Sequence, residues 1–195
     1  MRHLGSYERA VQESIASIRR GDGSASGLVE SARRAIDVGR CYRAARRASG
    51  GPRRVAVAGW ELGHNAAGRV QVLAGLHAAP ADGANGAEVE ILGFLFPGYG
   101  KGVWEPMRSP ALPPVDAITV SDPAELPGRI VDLVLEHPCD LLHLSKPKMP
   151  NILLGLAVRA VWDATVIVDV DDEELAFVEV GRTVGLDEEI GRAHV

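Results

Sequence analysis

From Arg53 onward the chain alternates short β-branched runs with helix-length stretches, and this alternation excludes most architectures. Val55–Ala58, Glu88–Leu95, Ala117–Val120, Asp140–Leu144 and Thr165–Asp169 have the length and composition of strands. Ala66–Ala78, Pro123–Glu136 and Asn151–Trp162 fall between them with helical spacing, and Asp172–Val178 begins another helix. Pro97 to Pro114 is rich in Gly and Pro and reads as a long irregular loop. A strand–helix–strand repeat of this spacing implies a parallel sheet covered on both faces. The expected fold class is therefore α/β, a Rossmann-like parallel sheet flanked by helices.

Two helices precede the sheet. Ser6–Arg20 carries Val11, Ile15 and Ile18 on one stripe. A second helix over Gly27–Ala48 turns Leu28, Ala32, Ala35, Ile36 and Val38 toward a partner and is basic in its second half. Gly50-Gly-Pro52 ends this part, which predicts a helical N-terminal extension over 1–52 and a sheet domain over 53–188. Charge divides in the same way: residues 1–54 balance at +7 and residues 55–195 at −12. GC-rich coding, with its excess of Arg, Ala and Gly, accounts for part of that asymmetry.

At 46% hydrophobic residues and a mean hydropathy of +0.03, the chain reads as an ordinary globule. No apolar run approaches the roughly 20 residues of a membrane helix, and no secretion signal is visible, so a cytoplasmic location is expected. Cys41 and Cys139 lack metal-ligand spacing and read as reduced thiols. Nucleic-acid binding is not expected, because the basic part has no interleaved aromatics and the body is acidic. The basic helices leave peripheral contact with an anionic membrane open, although a solvated arginine face explains them as well.

Three strand ends carry polar motifs, and ligands of open α/β sheets bind outside the carboxyl ends of strands. The first is Gly59-Trp-Glu-Leu-Gly-His-Asn-Ala-Ala-Gly-Arg69. Its spacing is not the dinucleotide fingerprint, so a nicotinamide site is not expected. Its candidate ligand-facing groups are Gly63, His64, Asn65 and Arg69, against the plain reading of a tight strand-to-helix turn. The second is Leu141-Leu-His-Leu-Ser-Lys-Pro-Lys-Met-Pro-Asn151. Here Ser145 and Lys146 stand at the strand end, Lys146 as a fixed cation, and Asn151 is a candidate helix cap. His143 reads equally well as a core histidine. The third is Asp169-Val-Asp-Asp-Glu-Glu174. Its acids either cap a helix or serve a hydroxyl, a cation or a proton transfer. Pro97-Gly-Tyr-Gly-Lys-Gly102 is not a phosphate-binding loop, because Leu95 stands where Gly is needed and Val103 follows Gly102.

GWELGHNAAGR, EVEILGF, LLHLSKPKMPNILLG and VIVDVDDEELAF together resemble the N-terminal domain of GT-B glycosyltransferases of the group 1 (family 4-like) type, over Val55 to Phe177. The resemblance implies one half of a GT-B fold, the half that binds the acceptor. A nucleotide-diphosphate sugar would be co-substrate, held by a C-terminal donor domain that this chain lacks, with no cofactor and no essential metal. By position, Gly63, His64 and Asn65 would line the cleft floor, with Arg69 and Ser145 as further substrate contacts. Lys146, Asp171 and Asp172 would be catalytic: a carboxylate orienting or deprotonating the acceptor hydroxyl, and Lys146 stabilising negative charge. The acceptor would be a glycan, a lipid-linked sugar or a small molecule.

The last residues, Glu189-Ile-Gly-Arg-Ala-His-Val195, match the translation of a common short-read sequencing adapter. They are expected to be foreign to the protein, whose own sequence would then continue past residue 188. The alternatives are a stand-alone binding module that completes a split glycosyltransferase and, more remotely, a haloacid dehalogenase-like phosphatase using Asp169-Val-Asp171. The module predicts an exposed apolar-rimmed face near Phe94–Tyr99 and Trp104.

Overall fold

The computed structural model describes residues 4–20, 25–79 and 86–170. Two helices come first, α1 (Leu4–Arg20) and α2 (Ala25–Ser49). The sheet domain follows as β1 (Arg54–Gly59), α3 (Ala67–Ala78), β2 (Glu88–Leu95), β3 (Val115–Thr119), α4 (Leu126–Glu136), β4 (Leu141–Ser145), α5 (Met149–Trp162) and β5 (Thr165–Asp169). All five strands are parallel, in the order β3-β2-β1-β4-β5. The parallel, helix-flanked Rossmann-like sheet is what the alternation predicts, while the strand order is not legible in it. β2 and β5 have the predicted bounds, and the other described elements agree to within a few residues; the helix expected over Asp172–Val178 lies outside the described residues.

The alternation of side chains along each strand separates two cores. On one face Val55, Val57, Ile91 and Leu141 pack against Ala67, Val70, Leu73 and Ala74 of α3 and against Met107 of the long β2–β3 connection. On the other, Ala56, Ala58, Leu92, Phe94, Leu142 and Leu144 pack against α4 and α5. Trp162 is fully buried there, its indole N–H donating to the Val134 carbonyl at 2.6 Å and its ring 5.2 Å from that of Tyr42. Tyr42 and the fully buried Val11 bring α2 and α1 into this same core. Val11 and Ile15 of the predicted α1 stripe pack there, and α2 meets the core through the predicted Ala35 and Val38 and through Gly39 and Tyr42. Gly39 is needed for a close crossing: a Cβ there would collide with the backbone carbonyl of Val161 in α5.

Part of the basic charge of α2 is spent internally. The Arg46 guanidinium pairs with the Asp140 carboxylate at 3.2 Å, and Arg43 donates to the Asp140 backbone carbonyl. The backbone N–H of Arg54 donates to the same carboxylate at 2.9 Å, and its side chain donates to the Tyr42 hydroxyl at 2.9 Å. Burial pushes the Tyr42 phenol up to about 12. Cys41 is exposed and Cys139 buried, and both are free thiols. Among the described residues no helix is long and apolar enough to cross a membrane.

Candidate functional site

The strand order reverses between β1 and β4, because the chain fills one side of β1 with β2 and β3 before returning to the other. Such a switch point opens a crevice at the carboxyl ends of the two strands. Gly59 of β1, Ser145 of β4 and Asp169 of β5 lie side by side in register at that rim.

The β4–β5 side of the rim is built around Lys146 and Asp169. Lys146 has φ 71°, a left-handed backbone that a side chain with a Cβ rarely adopts. Its N–H donates to the Asp169 carbonyl at 3.0 Å. Asn151 holds the turn from below: fully buried, its side-chain amide donates to the carbonyls of Ser145 at 2.6 Å and Lys146 at 3.1 Å. Asn151 is therefore not the helix cap; α5 starts earlier, at Met149-Pro150, since Pro is accepted in a first turn, and Lys148 is its N-terminal boundary. Arg69, in the first turn of α3, closes the rim with two parallel hydrogen bonds to the Asp169 carboxylate at 2.7 and 2.9 Å. That bidentate contact holds the Asp169 carboxyl below the usual carboxylate range, with Lys146 and His143 adding positive potential. His143 faces α3 from within β4, its Nδ1 2.9 Å from His77 Nε2. Burial lowers both imidazoles, and His77 lowers His143 further.

The β1–β2 side has a different design. Glu61, one hundredth exposed, accepts hydrogen bonds from the backbone N–H of Gly63 and, at 2.8 Å, of Phe96. Its carboxylate thereby ties the turn after β1 to the end of β2. Removal from water outweighs those two donors and pushes the Glu61 carboxyl up to about 7. Gly63 is constrained by its neighbours, because a Cβ would strike the Glu61 carboxylate and crowd the Gly102 carbonyl. His64 accepts the Ala66 N–H on Nδ1 at 3.1 Å and stacks on Tyr99 at 5.1 Å, with Trp60 edge-on at 5.9 Å. Its imidazole thus shapes the turn that starts α3. Asn65 is exposed beside it.

Of the predicted site residues, Arg69, Ser145 and Lys146 come together on the β4–β5 side. Gly63, His64 and Asn65 belong to the β1–β2 side, where Gly63 and His64 have evident structural tasks. Asp171 and Asp172 lie outside the described residues. Sequence reasoning gave Asp169 a role only in the phosphatase alternative and gave Glu61 none. The Arg69–Asp169 pair spans 100 positions and leaves no local signal, although Arg69 ends one of the motifs already singled out and Asp169 opens another. Glu61 did leave one: a lone acid between Trp60 and Leu62, directly after an apolar strand.

Comparison with protein-family models, with curated proteins and with solved structures gives no match for this chain. The rim offers an ionised carboxylate locked to a guanidinium, and a lysine fixed by a strained backbone. Asp169 is a poor general base, since a proton there would have to displace the Arg69 contact. The arrangement suits positioning of hydroxyl or anionic groups rather than proton abstraction by Asp169.

Proposed function

We propose that this rim is the acceptor-side half of a GT-B glycosyltransferase, using a nucleotide-diphosphate sugar presented by a donor-binding domain outside this chain. The observation that carries the reading is the Arg69–Asp169 pair across the switch point, beside Lys146 in its left-handed backbone. Strained residues at strand ends persist where surrounding contacts over-determine them, and such places are commonly functional. Arg69 and Lys146 supply fixed positive charge beside an acceptor hydroxyl, and Asp169 orients both.

Phosphatase chemistry fits less well. The Asp169 oxygens are both directed at Arg69, which leaves the carboxylate unsuited to attack a phosphorus centre. The apolar face expected of a partner-completing module is also weak, since Phe94 and Phe96 are buried and Trp104 packs on the α3 face of the sheet. Membrane contact loses part of its basis, because Arg43 and Arg46 are committed to Asp140.

Ligand-observed saturation-transfer NMR on the chain tests the proposal, with alkyl glycosides and short glycans as acceptor-type probes and UDP-glucose and GDP-mannose as donor-type probes. Acceptor-type signals that disappear in Arg69→Ala and Lys146→Ala, with donor-type signals absent, are expected. Silence from every acceptor-type probe, or signals unchanged in both variants, sinks the proposal.

A further inference from the structure

At the opposite end of the sheet, near the amino termini of the strands, side chains from three elements converge on one imidazole. His137 follows the last residue of α4. Its Nδ1 lies 2.7 Å from Glu90 Oε2 of β2, and its Nε2 lies 2.9 Å from Asp116 Oδ2 of β3. Glu136 brings a further carboxylate, and the donor atoms of Asp116, Glu136 and His137 all lie within 4.8 Å of one another.

The imidazole makes this more than a group of acids. A carboxylate on one ring nitrogen is the usual outer-shell partner of a metal-bound histidine: it fixes the tautomer and turns the other nitrogen's lone pair outward. Glu90 stands in that position, and Nε2 meets the Asp116 carboxylate, with Glu136 in the same cluster. Bonds of about 2.0–2.2 Å to nitrogen and oxygen put neighbouring ligands on one ion about 3 Å apart. The Nε2–Asp116 contact at 2.9 Å is a hydrogen bond of that same length, so a cation binding there takes the place of the Nε2 proton. Glu136 is exposed, so its side chain is free to swing inward.

We propose that Asp116, Glu136 and His137 form a binding site for a divalent first-row transition cation, with Glu90 as the residue that orients the imidazole. One imidazole and two carboxylates suit zinc, cobalt or manganese, with water completing the shell. The site sits away from the switch point and joins the end of α4 to β2 and β3, so its role is to clamp the fold. It stands independently of the glycosyltransferase proposal.

Isothermal titration of tag-free protein with Zn²⁺ is the test, with Co²⁺ absorption as the report on coordination. One Zn²⁺ per chain is expected, with a higher melting temperature and a cobalt ligand-field band that zinc displaces. Glu136→Gln changes an exposed side chain, so it should fold normally and still lose the cobalt band. Glu90→Gln keeps all three ligands and should weaken affinity roughly 10–100-fold. Absence of saturable Zn²⁺ binding at micromolar concentration overturns the proposal and leaves a cluster of ion pairs only. Binding undiminished in both Asp116→Asn and Glu136→Gln overturns it equally.

Discussion

Glu61 shows how a single carboxyl can set the pH response of a rim. Its folded pKa of about 7 lies above the ordinary 4.5, so the folded state keeps a proton that the unfolded state has released. The stability this provides is complete below about pH 4.5 and declines as pH rises toward 7, by at most about 3 kcal/mol. Glu61→Gln has no proton to lose, so it should abolish that decline in urea melts at pH 5 and pH 8. It also turns an amide N–H₂ toward one of the two backbone donors at Gly63 and Phe96, costing about 1–3 kcal/mol at pH 5. Identical pH slopes in the two proteins would falsify the assignment. The histidine pair acts in the opposite sense. With both imidazoles lowered, stability is present above their unfolded pKa of about 6.5 and is lost on acidification. His77→Gln should flatten the acid limb of the same melts. Arg69→Ala, by contrast, removes a contact whose guanidinium is 40% exposed, so about 1 kcal/mol or less of stability is at stake. Its expected effect is on ligand binding, with the melt nearly unmoved.

Between strand and helix, the turn after β4 separates what the sequence can disclose from what only packing can. Strands and helices were legible because period-2 and period-3.6 patterns come from burial, and the buried residues are the apolar ones. The Lys146 conformation was not legible. A left-handed lysine has no signature of its own and results from two constraints, the distant Asp169 carbonyl and the Asn151 amide in the next helix. Asn151 itself misled for a local reason: Asn ahead of an apolar run reads as a cap, while Pro150 allows the helix to begin before it. Two substitutions separate these effects. Lys146→Gly relieves the left-handed strain and should leave stability equal or raise it by up to about 1 kcal/mol, while binding at the rim is lost. Asn151→Ala strips two carbonyls of their buried donor and should cost about 2–4 kcal/mol in urea unfolding. A Lys146→Gly variant that is clearly destabilised would mean that the turn is held by the lysine side chain instead of tolerating it.

For the whole molecule the question is whether the helical hairpin is an appendage or part of the core. Composition suggests an appendage: a basic head, a Gly-Gly-Pro break and then an acidic body. The contacts argue for integration. Val11 and Tyr42 lie in one apolar cluster with the sheet and with Trp162 of α5. Gly39 crosses α5 so closely that no side chain fits. Arg43 is buried and Arg46 half-buried against Asp140, at the start of the β4 segment. Removing one partner of a buried pair leaves the other charged and desolvated, which costs about 3–5 kcal/mol. Asp140→Ala removes the carboxylate from both arginines but leaves Arg43 the residue 140 carbonyl and Arg46 the Pro52 carbonyl, so the cost should lie near the low end of that range, still a large share of the 5–15 kcal/mol by which domains are stable. A chain beginning at Gly51 loses the same contacts and also uncovers the Trp162 face of the sheet domain. It should therefore lose cooperative unfolding and its near-ultraviolet circular dichroism while keeping much of its helical signal. The decisive comparison is its urea transition against that of the entire chain. A cooperative transition with an unchanged midpoint would make the hairpin a separate module despite its arginines. A broadened transition, or none, makes α1 and α2 part of the platform on which the switch-point rim is built.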